Sequence, residues 1–410
     1  MKYINGVIYY KDELIKKDFA IINKRIVFEG LEEINEEVNL EGKIVSPGFV
    51  DVHVHTRVPG FEYKEDLEHI EKAMLYGGFT HAVAQSNTNP KPDNVKTLKE
   101  IQGMLDEKRV NIIQAGRITK EDKVVDIEEM SKHTRLFTDD GYPVQDEKEM
   151  FKAIQLAKAT ESTLILHEED ASIKGKMYHC SLSEQENIPA FNEEYESNMV
   201  KRDIELNKET NANIHIQHIS SKDSIKLIKE AQSQGMNITA ELTPHHMALD
   251  NEMIINDGKF KMNPPLSNPE TRQILIKALK DEVITIIATD HAPHSEEEKS
   301  GGFEKAVNGI IGLETSFAVV NTLARKYEIT LETIIKAMSI NPGKLMGINT
   351  KLEAGKVANL TILDVDKKWT FKEENIKSKS KNTPFINMEL IGKVDSVILN
   401  GEHIVLEGEK

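Results

Sequence analysis

The chain contains a single cysteine, Cys180, so no internal disulfide can form. That fits a reducing, cytoplasmic setting. No run of 18 apolar residues occurs, and nothing is expected to span a membrane. The first 18 residues lack the long apolar stretch of a signal peptide. Basic residues are the minority: 52 Lys and Arg against 68 Asp and Glu leave a net charge of −16. This argues against nucleic acid or anionic membrane as partner. An anionic small molecule stays open, because a local arginine or a bound cation can reverse the field. Internal repeats and low-complexity linkers are missing too.

What is present fits a soluble globular protein. The 410 residues are 39% hydrophobic and 29% charged, enough for one large domain and a smaller one. Residues 1–45 carry short β-branched runs punctuated by Asn5-Gly6, Glu29-Gly30 and Glu41-Gly42, which is turn chemistry. The C-terminal part repeats this texture in VANLTILDVD (357–366) and VDSVILNGEHIVLEGE (394–409), with a turn at Asn400-Gly401. The two ends, 1–45 and 350–410, are therefore expected to pair into one small β-sandwich domain, flanking a different domain over 46–349.

The middle alternates between apolar runs and amphipathic helices. The runs are 49–55, 78–87, 109–116, 134–140, 162–170, 213–220, 236–246 and 283–294. Among the intervening stretches, 146–159 has Asp146 as N-cap and Glu149 as capping-box partner, with Phe151, Ile154 and Ala157 on one face. Residues 221–235 place Ile225, Ile228 and Ala231 three apart and stop at Gly235. Eight strand–helix units over roughly 250 residues predict an α/β fold, a TIM (β/α)8 barrel.

Chemistry in such a barrel sits at the C-terminal ends of the strands. The first run ends in His53 and His55, two apart and so on one face of a strand, with Arg57 beyond and Asp51 before. Others end in Asn87, in Asp139 and Asp140, in His167, in His218, in Glu241, and in Asp290 with His291 and His294. A repeated His/Asp ending suits a divalent metal. Plainer readings apply elsewhere. His215 is expected to be packed or hydrogen-bonded, His245 and His246 to lie in a loop after Pro244, and Glu168, Glu169 and Asp170 to form a solvated loop. His69, His81, His133, His179, His403 and Cys180 are read as ordinary.

DVHVHTR (51–57), SNTNP (86–90), FTDDG (137–141), AELTPHH (240–246), KMNPPL (261–266), ATDHAPH (288–294), EKAVNGIIG (304–312) and NTPF (382–385), with strands ending in His167 and His218, resemble the amidohydrolase superfamily. More narrowly, the set resembles type I dihydroorotases over nearly the whole length. The resemblance implies His53 and His55 on a first metal, His167 and His218 on a second, Asp140 bridging both, and Asp290 completing the first site. Two zinc ions per subunit are expected, with cobalt or manganese as possible replacements. No lysine lies in FTDDG to serve as a carboxylated bridge.

The implied reaction is the reversible cyclisation of N-carbamoyl-L-aspartate to dihydroorotate plus water, a step of pyrimidine (UMP) biosynthesis. A metal-bridged hydroxide would act, with Asp290 as general acid and base. Arg57, Asn87 and His294 would meet the substrate carboxylate, with His55 beside them; Asn263, Asn308 and Gly309 would meet the ring. Two departures stand out: Asn308 replaces an aromatic residue common there, and Thr56 and Val58 replace a leucine and a glutamate beside Arg57. Homodimers are common among such relatives, and some dock with aspartate carbamoyltransferase; these are the implied partners. The alternatives are a hydantoinase or allantoinase, and a non-catalytic homologue. Hydantoinases and allantoinases usually lack the arginine and keep a bridging lysine, and a non-catalytic homologue would have lost ligands.

Overall fold

The computed structural model describes residues 1–406; the last four residues of the 350–410 segment lie outside the described part. Eight parallel strands fall where the eight apolar runs lie. They are β1 (Phe49–Val54), β2 (Phe79–Ala84), β3 (Asn111–Gln114), β4 (Leu136–Thr138), β5 (Thr163–Leu166), β6 (Asn213–Ile216), β7 (Ile238–Leu242) and β8 (Ile286–Ile287). Three form one sheet in the order β3-β2-β1, and five form another in the order β4-β5-β6-β7-β8. Isolated parallel bridges join the edges of the two sheets, Gly116 to Phe137 on one side and Val54 to His291 on the other. Val50, Val52, Val83, Ala115, Leu136, Ile165, Ile286 and Ala288 bury one another in a single cluster drawn from both sheets.

Helices follow most strands and begin on the signals that local chemistry favours. Asp66, Asn94, Asp146, Ser221 and Asn268 each accept a backbone N–H of the first turn through their side chains. In the helix Lys222–Ser233, Ile225, Ile228 and Ala231 are buried, as their spacing predicts. The helix Glu147–Ala159 uses its Asp146 cap, but Glu149 does not close a capping box. Its carboxylate turns instead to Lys123 Nζ (2.9 Å) and Val124 N (3.0 Å).

Both ends of the chain contribute to one six-stranded sheet. Its order is Glu402–Val405, Glu389–Leu399, Leu360–Thr370, Ile44–Pro47, Val7–Tyr10 and Glu13–Lys16. A four-stranded sheet takes Arg25–Val27, Phe19–Ile22, Lys2–Ile4 and Glu37–Asn39. Tyr3 and Phe19 from the smaller sheet pack with Ile8, Val45, Leu360 and Ile398 from the larger. Ile44–Pro47 runs directly into β1 through Gly48. A side chain at Gly48 would collide with Thr80, its Cβ falling 2.3 Å from Oγ1, so only glycine lets the two strands meet there.

Candidate active site

His53 is fully buried at the end of β1, and the ladder with β2 slips in register between Asp51 and Val54. Such slips re-aim side chains. The two histidines nevertheless converge: His53 Nε2 and His55 Nε2 lie 3.3 and 3.1 Å from one oxygen of Asp290. Asp51 holds the geometry from below. Its carboxylate accepts from His53 N (3.0 Å), Thr289 N (3.1 Å) and Thr289 Oγ1 (2.5 Å), tying β1 to the segment that carries Asp290. Burial pushes Asp51 up to about 7, against the pull of those bonds.

Asp140 stands at the centre. Its oxygens are 3.4 Å from His53 Nε2, 3.5 Å from His55 Nε2, 3.4 Å from His167 Nδ1 and 3.9 Å from His218 Nε2. Its carboxyl is held well below the usual range: burial would raise it, but the imidazoles of His167, His53 and His55 outweigh burial. Asp139 points elsewhere, to Arg117 Nε (3.1 Å), Ile118 N (3.0 Å) and the Thr119 hydroxyl. His167 Nδ1 and His218 Nε2 face each other at 2.9 Å, where at most one proton fits between two lone pairs. All six side chains are buried. Two groups of ligand atoms, His53 with Asp140 and His218, and His53 with His55 and Asp290, each lie within 4.8 Å of one another. Imidazole nitrogens with carboxylate oxygens are a donor set that suits zinc.

Glu241 completes this half of the site, and its role was not evident from the sequence beyond its place at a strand end. Fully buried, it accepts from His53 Nδ1 (2.6 Å), His215 Nε2 (2.9 Å) and the backbone N–H of His218 (3.1 Å). Burial would raise its pKa, but His53 and His215 bring it down to about 2, so it is an ionised acceptor. A carboxylate on Nδ1 fixes the tautomer and leaves the Nε2 lone pair of His53 facing Asp140 and Asp290. His215 is thus hydrogen-bonded, as expected. His167 has a similar partner: its Nε2 meets Glu169 at 3.2 Å.

The acidic run after β5 is not a solvated loop throughout. Glu168 is buried, and burial followed by the charge of Asp203 raises its pKa well above the usual range. Glu169 also accepts from Asn263 Nδ2 (2.7 Å), and Tyr195 OH donates to Asn263 Oδ1 (3.2 Å). His245 and His246 lie not in a loop but in the short helix Pro244–Ala248, capped by Thr243, whose side chain accepts from His246 N. Asn87 sits against the imidazole–carboxylate set, with its amide nitrogen 2.9 Å from His55 Nδ1 and 3.3 Å from Asp140 Oδ2.

Arg57 occupies the other half. It is buried, at φ +62, with Nε donating to Pro293 O (3.0 Å) and Nη2 donating to His294 Nε2 (3.1 Å). Burial lowers its pKa to about 10, opposed by Asp290 and Asp140, so it stays cationic at neutral pH. His294 is held neutral, brought down to about 2 by burial and then by Arg57 and Lys64. Lys64 Nζ lies 3.3 Å from His294 Nδ1 and is paired with Glu298 at 2.7 Å. His218 and Asp290 also have positive φ, +28 and +49. Three site residues in this sparsely populated region show backbone bent to aim side chains. Gly309 has φ +127, and a side chain there would strike Ala292 Cβ at 2.7 Å. Asn308 precedes it and is exposed.

Among the described residues, no helix is long and apolar enough to cross a membrane. Residues 44–404 match the model of the Amidohydrolase family. The dihydroorotase of Macrococcus caseolyticus is 38% identical over 419 residues, covering 98% of this chain and 98% of that protein. The dihydroorotase of Clostridioides difficile is 40% identical over 384 residues, covering 92% and 91%. Among solved structures, the L-hydantoinase (dihydropyrimidinase) of Arthrobacter aurescens shares the fold with a TM-score of 0.88 at 23% identity, over 100% of this chain and 96% of that one. With its converging imidazoles and carboxylates and relatives alike from end to end, this chain belongs to the amidohydrolase family.

Proposed function

We propose that this protein is a dihydroorotase, interconverting N-carbamoyl-L-aspartate and dihydroorotate plus water. The observation that carries the reading is Arg57: a buried guanidinium beside a neutral His294, at the edge of the imidazole–carboxylate set. Such a cation expects an anionic substrate and can grip a carboxylate through two N–H groups. The similarity to dihydroorotases over nearly the full length supports the same conclusion.

The set that Asp140 joins is read as a two-zinc centre. His53, His55 and Asp290 would hold one ion, His167 and His218 the other, and Asp140 both. Zinc in such a site supplies an activated water and polarises a carbonyl. The chain's own groups do the rest. Arg57 and His294 orient the substrate carboxylate, with Asn87 beside them. Asn263 and the Asn308–Gly309 segment face the ring. Asp290 takes the proton of the attacking water and delivers it to the leaving ring nitrogen, a general acid and base fixed by its position. The scaffold is read as a closed (β/α)8 barrel over 46–349, with a β-sandwich from 1–45 and 350–410. The single cysteine favours a cytoplasmic setting.

The test is hydrolysis of dihydroorotate, hydantoin and allantoin side by side on zinc-loaded protein. Turnover of dihydroorotate far above the other two is expected. Preference for hydantoin or allantoin would refute the assignment.

A further inference from the structure

The segments assigned to the substrate meet at two side chains that belong to neither half of the site. Lys299 is buried at the end of the short helix Glu296–Lys299. Its Nζ donates to three carbonyls: Lys261 O (3.0 Å), Val307 O (2.7 Å) and Gly309 O (2.8 Å). Lys261 lies two residues before Asn263, and Val307 and Gly309 flank Asn308. Asn382, also buried, arrives from the C-terminal segment. Its Nδ2 donates to Ala292 O and Gly309 O, both at 3.0 Å, and its Oδ1 accepts from His294 N at 3.1 Å. The main chain adds two bonds: Gly309 N donates to Lys261 O, and Ile311 N donates to Asn382 O, each at 3.0 Å.

The Gly309 carbonyl therefore receives both side chains, and one knot joins the segments of Asn263, His294 and Asn308–Gly309. Burying an ammonium is costly. Burial, then the charge of Lys261, lowers Lys299 to about 7. Three carbonyls converging on one point offset that cost, which is the arrangement expected of a lysine kept for its donors.

We propose that Lys299 and Asn382 are positioning residues for substrate binding. Lys299 locks the two ring-facing segments together, and Asn382 fastens the C-terminal segment to the carboxylate contact of His294. The inference rests on the dihydroorotase reading of those contacts. Neither residue needs to touch the substrate. Their loss lets the binding segments drift, while the imidazole–carboxylate set stays fixed by its strands.

The test is steady-state kinetics on dihydroorotate for zinc-loaded wild type, Asn382→Ala, Lys299→Met and the double variant, with zinc content and thermal melting measured on each. KM is expected to rise about tenfold in each single variant, about 1.4 kcal/mol or the net worth of one hydrogen bond, because only part of the three bonds each side chain loses bears on binding, with kcat within about twofold and zinc unchanged. Because both side chains act on one carbonyl, the double variant should raise KM by less than the product of the singles. The two substitutions lie on separate segments, so either folded variant decides. An unchanged KM in a folded variant overturns the proposal. So does a fall of kcat and zinc content alongside the rise in KM, or loss of the fold in both variants, since each of these marks a purely structural role. Wild type that turns over dihydroorotate while the variants keep its KM sinks this inference alone; wild type inert on dihydroorotate sinks the functional reading beneath it.

Discussion

The imidazoles and carboxylates around Asp140 leave the ends of strands, whereas the groups assigned to the substrate leave loops. The first half is held by its strands: β1 carries His53 with His55 just past its end, Asp51 of the same strand ties His53 to Thr289, and Glu241 of β7 accepts from His53 Nδ1. The second half is tied together largely by hydrogen bonds between loops. Arg57 leans on the Pro293 carbonyl, His294 on Asn382, and Gly309 on both Lys299 and Asn382. A rigid sheet suits ligands whose positions must be fixed closely. Loops suit contacts that decide which substrate is taken. Chemistry and selectivity should therefore fail separately.

The largest separation is expected at Asp290. Asp290→Asn should lower kcat by roughly a thousandfold, the middle of the range for a positioned general acid and base. Substrate affinity should survive, as checked by calorimetry with dihydroorotate; near-wild-type turnover would remove Asp290 from proton transfer. Arg57→Lys comes next. Losing a bidentate, charge-assisted grip should cut kcat/KM on dihydroorotate by about a hundredfold. Zinc content and turnover of the uncharged ring dihydrouracil should stay as they were. An equal loss on both substrates would mean that Arg57 serves the site as a whole. Glu241→Gln should have the smallest effect of the three. Outer-shell partners of metal-binding histidines are worth about ten- to a hundredfold in metal affinity, and tens of fold is expected here because His215 still supports the position. Competition with a chelator measures it, and unchanged zinc affinity would leave Glu241 a packing residue.

The same division explains what could be read in advance. A period of two in FVDVHV, and His or Asp at strand ends, report on neighbours close along the chain or on a shared rim. Those features marked His53, His55, the Asp139–Asp140 pair, His167, His218 and Asp290 among other strand endings; the family resemblance narrowed them to six with Asp140, and the structure brings all six together. Glu241 was visible only as a strand ending, because its contact with His53 spans 188 residues. Asn382 was visible only as the first residue of NTPF and Lys299 not at all, because their partners are backbone groups on other loops, 8 to 90 residues away. Glu168 was misjudged because a charge run usually means a wet loop; here the residue after His167 is carried inward beside Arg202 and Asp203. Asn87, expected at the substrate, also touches His55 and Asp140, contacts that no local pattern announced.

The most direct measurement is a zinc titration of metal-free protein, with bound metal counted by native mass spectrometry and turnover of dihydroorotate followed in the same samples. Turnover should be absent without metal and reach its plateau as two zinc ions bind per chain. Full turnover by metal-free protein, or a chain that binds no zinc, would contradict the strand-end imidazoles and carboxylates as a catalytic metal centre.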